Sequence, residues 1–379
     1  MKIFLVTSTR ADFGLLKNLI FQFKKNSFFN LKIIATGTHF SKKHGFSFSE
    51  IKNYKIKIHK KILITNNTRS SKSLLNDMSV LSKSITSLIK KDKPDLIIVL
   101  GDRYEILAVS LAAYLSKVPL AHIHGGEITQ GSLDDGFRHC ISKMSNFHFV
   151  THNDYKKRLI KMGENPKTVY NVGALGVENI YKTVFLRKEK LEKFLKINLK
   201  KNILVVCLQP EVTKELTINL VNETLGALKY FNDKSIIFTM PGADLYNDII
   251  FKKILIFTQK NPNCFLFNTL GSQKFLSFLK IADAVIGNSS SGILEMPTFK
   301  KPTINIGDRQ KGRVKSNSII DVSPKRYLIK RKVDFIYSKK FNIKNITNPY
   351  KKLNTSKKIV SIIKNINLEK HKNKKFYDI

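Results

Sequence analysis

A-V-I-G-N-S-S-S-G-I-L-E, residues 284–295, reads as a strand, a turn and the start of a helix. Residues 284–286 are a short apolar run, and Gly287 frees the turn from a side chain. The hydroxyls of Ser289 and Ser290 then stand where a helix opens. Such an opening offers unpaired N–H groups and the positive end of the helix dipole, which suit a diphosphate. Glu295, one turn further in, is placed to accept from ribose hydroxyls. A serine-rich helix cap is the plain alternative. Either way, a strand that feeds a helix through a small-residue turn is the repeating unit of a parallel sheet.

The same unit recurs on both sides of that stretch. Apolar runs at 3–6, 31–35, 96–100, 120–123 and 147–150 alternate with helical patterns such as Leu15, Leu16, Leu19, Ile20, Phe23 and Ile106, Leu107, Leu111, Leu115. Residues 187–201 are charged and rich in Leu and Lys. A second series then runs through 203–207, 235–239, 264–267, 284–286 and 302–306, with a helical pattern over 216–228. The chain is therefore expected to be α/β, with two Rossmann-like doubly wound domains facing a cleft. The expected limits are 1–182 for an N-terminal domain carrying acids, 183–350 for a C-terminal nucleotide-binding domain, and 351–379 for a closing segment. Within that segment a helix over 356–366 packs back on the first domain.

A length of 379 residues suits two cores, and 42% apolar residues can fill them. No apolar run is long enough to span a bilayer, and residues 1–6 read as a strand rather than a leader because Thr7, Arg10 and Asp12 interrupt them. A cytoplasmic protein without a membrane partner is expected. Cys140, Cys207 and Cys264 form neither a metal spacing nor a disulfide framework, so reduced structural thiols are expected. Lys and Arg total 67 against 28 acids, for a net charge of +39. That surplus is mostly Lys mixed with Ile and Asn along the whole length. It reads as decoration of solvated faces, the stretch from Lys311 onward included, and as a field that draws in an anionic substrate. No nucleic-acid-binding motif accompanies it, and no specific nucleic acid is expected.

Acids gather at one edge of the first domain. Residues 96–100 end in Gly101-Asp102-Arg103, and residues 120–123 end in His124-Gly125-Gly126-Glu127, where two glycines allow a ligand to approach the backbone. Asp134 and Asp135 follow at the start of a helical segment. Asp102, Glu127 and Asp134 thus leave neighbouring loops at one end of one sheet. Crowded carboxylates there can have their proton affinities driven apart into an acid and a base. Helix capping explains Asp102 equally well, and a tight turn with solvated acids explains the others. Arg10, in the turn Ser8-Thr9-Arg10-Ala11-Asp12, either forks onto a phosphate or belongs to a plain capping turn led by Asp12, and Arg309, in G-D-R-Q-K-G-R at 307–313, either clamps a phosphate or is simply exposed.

Taken in order, S-T-R-A-D-F-G, T-G-T-H-F-S, H-G-F-S-F-S-E-I, G-D-R-Y-E, H-I-H-G-G-E, L-D-D-G-F-R-H, G-N-S-S-S-G-I-L-E and N-I-G-D-R-Q-K-G-R resemble the hydrolysing UDP-N-acetylglucosamine 2-epimerases of sialic-acid-type sugar biosynthesis. The resemblance runs from residue 1 to about 320 and implies the glycosyltransferase-B fold. It further implies elimination of UDP across C1 and C2 and addition of water to the glycal, with release of the free manno-configured sugar. Asp102, Glu127 and Asp134 match the family's acidic positions. Arg10, Arg103, Ser289, Ser290, Glu295 and Arg309 match its nucleotide-sugar contacts. The family needs no redox cofactor and no metal, and its members form dimers or tetramers. Two positions depart from the pattern. Gln209-Pro210 stands where many members have His-Pro, and Gly242 takes the place of Asn in the segment 240–244. The length leaves no room for the sugar kinase fused to animal relatives, so phosphorylation is not expected.

UDP-N-acetylglucosamine is the expected substrate, as the family's more usual one, with UDP-N,N'-diacetylbacillosamine as the alternative. A glycosyltransferase of the same fold and a basic binding protein without activity are the other readings. The acid cluster argues against the transferase, and only the charge and Gln209 favour the binding protein.

Overall fold

The computed structural model describes residues 1–41, 46–66, 70–130, 132–242, 244–338, 340–342 and 345–378. His44 and Gly45 of H-G-F-S-F-S-E-I, and Ala243 of the 240–244 segment, lie outside the described residues. The chain divides into two compact units. Met1–Glu127, Leu133–Asn179 and Tyr350–Ile379 form the first, and Ile128–Ser132 with Ile180–Pro349 the second.

The first unit is built on a parallel sheet of β1 (Lys2–Thr7), β2 (Asn30–Ala35), β3 (Lys60–Lys61), β4 (Leu96–Leu100), β5 (Leu120–Ile123), β6 (Phe147–Val150) and β7 (Val169–Asn171), in the order β3-β2-β1-β4-β5-β6-β7. Its central strands are continuous apolar runs because both faces are covered. Alternation then sorts the side chains. Ile3, Leu5, Leu96 and Ile98 join one core with Leu16, Leu19 and Phe23, while Phe4, Val6, Ile97 and Val99 join another with Leu81, Ile85 and Val109.

The pattern Ile106, Leu107, Leu111, Leu115 implies that those side chains pack on the sheet, and the helix Tyr104–Leu115 buries only part of that set. It buries Ile106, Val109, Ala112 and Ala113, whereas Leu111 is 41% and Leu115 71% exposed. Alanines let this helix lie close to its neighbours, and the leucine row at 107, 111 and 115 sits about 100° further round.

The second unit repeats the plan with β8 (Ile203–Cys207), β9 (Ser235–Thr239), β10 (Cys264–Phe267), β11 (Ala284–Gly287), β12 (Thr303–Ile306) and β13 (Ile319–Val322), in the order β10-β9-β8-β11-β12-β13. Leu204, Val206 and Ile286 pack with Leu220, Ile254 and Ile329 on one face. Val205, Ile237 and Val285 pack with Leu276, Leu279 and Met296 on the other. In both sheets the strand order reverses once, between β1 and β4 and between β8 and β11. Open α/β sheets hold ligands beyond the carboxyl ends of the strands at that reversal. The loops of Asp102 and Ser289 follow β4 and β11, each at a reversal, and those of Glu127 and Arg309 follow the adjacent strands β5 and β12.

The basic stretch after Lys311 is more than a solvated surface. It supplies β13 and the helix Arg326–Tyr337, which buries Ile329 and Val333 in the second unit. It also supplies the helix Thr355–Asn365, whose Ile359 and Ile363 join the first unit's core. Beyond it, Lys374 donates to the carbonyls of Ser142 (3.1 Å) and Ser145 and to Glu164 Oε2 (2.6 Å), and Tyr377 N donates to Gly163 O (3.0 Å). Lysine stems fill apolar surface while their amines find carbonyls, so a high Lys count does not mark a segment as unpacked. Among the described residues no helix is long and apolar enough to cross a membrane.

Candidate active site

At the end of β1 the chain turns directly into the helix Arg10–Lys24. Asp12 reaches back and accepts from Thr7 Oγ1 (2.5 Å), Ser8 N (2.8 Å), Ser8 Oγ (2.9 Å) and Thr9 N (2.9 Å), while Thr9 Oγ1 accepts from Asp12 N (3.2 Å). This closed capping box occupies Asp12 and fixes the turn. Arg10 is the first helical residue. Burial draws its guanidinium below the ordinary arginine value, with Glu50 opposing.

Beyond β4 and β5 two loops leave the sheet side by side, because Leu100 pairs with Ile123 and Gly101 N donates to Ile123 O (3.0 Å). The helix that follows is capped at Arg103 without a side-chain bond, so Asp102 is not its cap. Asp102 is instead ion-paired with Arg138, which is 2% exposed. The same guanidinium donates to Asp135 Oδ1 (3.2 Å) and to the carbonyl of Glu127 (3.1 Å). Arg138 therefore holds the loop of Asp102, the backbone of Glu127 and the first turn of the helix Asp134–Met144 together. Half-buried Asp134 opens that helix. Arg103 forks onto Glu105 at 3.1 and 3.3 Å. Burial raises the Glu105 carboxyl, and Arg103 draws it back.

Glu127 is 1% exposed. Its Oε1 accepts from Thr151 Oγ1 (3.0 Å) and lies 2.9 Å from His124 Nδ1. His124 has a left-handed backbone (φ 69°), and its Nε2 is buried with no partner. Its neighbour His122 is different. Nε2 donates to Gly101 O (2.7 Å), Nδ1 accepts from the Ser142 hydroxyl (3.0 Å), and burial drops its pKa to about 3, so it is a neutral strut.

In the second unit, Gly287 has φ 135°, and a Cβ there would collide with the Cys207 carbonyl. Asn288 binds the two strand ends together. Its Oδ1 accepts from Gln209 N (2.7 Å), and its Nδ2 donates to Gln209 O (2.9 Å) and Glu211 Oε1 (2.9 Å). Ser289 caps the short helix Ser290–Leu294, accepting from Ser291 N at 3.4 Å. Glu295 follows, 8% exposed. Burial pushes its carboxyl up to about 7 against the pull of Ser291 and Arg313, and Oε2 has no partner. Arg309, beyond β12, stands 3.6 Å from Asp244 Oδ2 with its buried Nε unpartnered. The two departures noted in the sequence meet here, since Gly242 N donates to Gln209 Oε1 (2.8 Å). A Cβ at 242 would stand 3.1 Å from that oxygen, so the glycine gives the glutamine its place.

The family described as UDP-N-acetylglucosamine 2-epimerase matches residues 22–364. The chain belongs to that family. It is similar to the GDP/UDP-N,N'-diacetylbacillosamine 2-epimerase (hydrolyzing) of Campylobacter jejuni, at 44% identity over 328 residues and 84% of each chain. It is also similar to the polysialic acid biosynthesis protein P7 of Escherichia coli, at 38% identity over 384 residues, 100% of this chain and 97% of that one. Among solved structures, the UDP-GlcNAc 2-epimerase from Neisseria meningitidis bound to UDP-GlcNAc matches with a TM-score of 0.79 and 21% identity, over 96% of this chain and 100% of that one. The two Rossmann-like units are those of the glycosyltransferase-B fold.

For a member of this epimerase family, the first unit offers carboxylates, an imidazole and a buried guanidinium at the ends of β4 and β5. The second offers an acceptor without a donor in Glu295 and a cation with spare N–H capacity in Arg309. Among the described residues no cluster of three or more His, Cys, Asp or Glu could hold a metal ion. Sequence reasoning passed over His124 and Arg138. The signal for His124 is its place at a strand end, three residues before a glutamate and followed by two glycines. Arg138 carries no such signal, because an arginine one turn after a pair of aspartates reads as surface.

Proposed function

We propose that this chain is a hydrolysing 2-epimerase that converts UDP-N-acetylglucosamine and water to N-acetylmannosamine and UDP, as a step toward nonulosonic (sialic) acids. The observation that carries this reading is Glu295 Oε2, a buried carboxylate oxygen with no donor at the strand-order reversal, which is what a ribose diol would satisfy. In this reading Ser289, Ser290, Arg309, Arg10 and Arg103 contact the nucleotide sugar. Asp102, Glu127 and Asp134 serve proton transfer and stabilise positive charge at C1. Loss of the C1–O bond acidifies the C2 hydrogen, so no redox cofactor is required. The positive net charge favours encounter with the anionic substrate. The protein acts without nucleic acid or membrane, as a homodimer or homotetramer, and exposed Leu111, Tyr114 and Leu115 offer an apolar row for self-association.

The 44% identity to the Campylobacter enzyme favours a second reading, in which the substrate is UDP-N,N'-diacetylbacillosamine. Proton NMR of both sugars with the protein in heavy water decides between them. The expected result is free manno-configured N-acetylmannosamine, UDP, and deuterium at C2. Turnover of the bacillosamine derivative alone selects the second reading, and an acceptor-linked glycoside or no UDP release removes both.

A further inference from the structure

Three features meet at His124. Its Nδ1 is held at 2.9 Å by Glu127 Oε1, its Nε2 is buried without a partner, and its backbone is left-handed at φ 69°. Positive φ is uncommon outside glycine, although histidine adopts it more readily than most residues, and here it sets the direction in which the imidazole leaves the turn. A buried nitrogen with no protein partner is unfavourable unless water or a ligand completes it. Glu127 has the opposite character. Its residue is 1% exposed and its Oε1 is engaged by both His124 and Thr151. A carboxylate that fixes Nδ1–H leaves Nε2 with the lone pair, the arrangement of a general base oriented by an acid. The register places this imidazole beside the loop of Asp102, because Ile123 and Leu100 are paired.

We propose that His124 is a catalytic base of the epimerisation, its Nε2 taking the C2 proton, and that Glu127 is a positioning residue acting through it. The inference rests on the functional reading above and changes the role it gives Glu127. In the elimination the C2–H pair becomes the C1–C2 π bond, the C1–O pair leaves with UDP, and the proton resides on Nε2. In the hydration a carboxylic acid of the pair Asp102 and Asp134 protonates C2 from the opposite face. The water oxygen bonds to C1 and returns its proton to that carboxylate. His124 then releases its proton to solvent, which balances the net formation of one proton per UDP.

The test uses the full chain and whichever of the two nucleotide sugars the wild type turns over. His124→Asn retains an N–H for Glu127 and tolerates the left-handed backbone, but has nothing at Nε2. Its kcat is expected to fall about 10²- to 10⁴-fold, with an unchanged thermal melt, unchanged calorimetric affinity for UDP, and deuterium entry at C2 slowed in the same proportion. Adding Glu127→Gln to His124→Asn is expected to lower kcat no further, because the two act as one unit. Near-normal turnover by His124→Asn overturns the proposal, and so do losses that multiply in the double variant. Should His124→Asn fail to fold, His124→Gly, which the same φ accepts, carries the test through restoration of kcat by added imidazole. Failure of that restoration counts against the base. An active wild type with an active His124→Asn refutes this proposal alone, whereas a wild type that releases no UDP from either sugar refutes the functional reading and this one with it.

Discussion

A buried carboxyl with one unpartnered oxygen is unstable as an anion, and Glu295 responds by holding its proton up to about pH 7. Ribose hydroxyls would donate to the charged form, so the UDP complex should hold that proton less tightly than the free protein. Above pH 7 the group is already ionised when UDP arrives. Below it, binding must first displace a proton, and affinity should weaken by up to about tenfold per pH unit. Titration calorimetry of UDP from acid to alkaline pH checks this, with Glu295→Gln expected to flatten the profile and lower the affinity at high pH. The free protein should show the opposite slope. A carboxyl raised in the folded state favours folding below its unfolded value, and that contribution is lost as pH rises through about 7.

The turn after β11 depends on a single backbone conformation. Gly287→Ala must hold a side chain at φ 135° against the Cys207 carbonyl, and should destabilise the fold by roughly 3 kcal/mol. Gly242→Ala meets side-chain oxygens, Gln209 Oε1 at 3.1 Å and Asp244 Oδ2 at 3.4 Å, without a positive φ, and should lose much less. Urea denaturation midpoints of the two variants compare them. Elements like β11 are legible in the sequence because burial on both faces leaves Val and Ile no alternation to disguise them, as in β4 and β8. The edge strands β3, β7 and β13 are not. Lys60 and Lys61 pair with β2 while staying exposed, and β13 interleaves Asp321. Loops after strands betray themselves through glycine, which is why Asp102 and Glu127 stand out. The fork from Arg138 to Asp102 and the left-handed turn at His124 are set by tertiary contacts between β4, β5 and the helix Asp134–Met144, and no spacing announces them.

Across the whole molecule, the net charge of +39 coexists with lysines that belong to the core's polar framework. Burial lowers Lys374 to about 8 against the pull of Glu164, and its amine meets Glu164 together with Lys143 and His148. Lys374→Ala removes one partner of a buried pair and should destabilise the first unit by roughly 3 kcal/mol, read from thermal and urea unfolding. The two carbonyls it caps, Ser142 and Ser145, end the helix whose other end carries Asp134. A purification handle or fluorescent fusion appended behind residue 379 would tug on this anchored stretch, whose last backbone tie is Tyr377 N to Gly163 O.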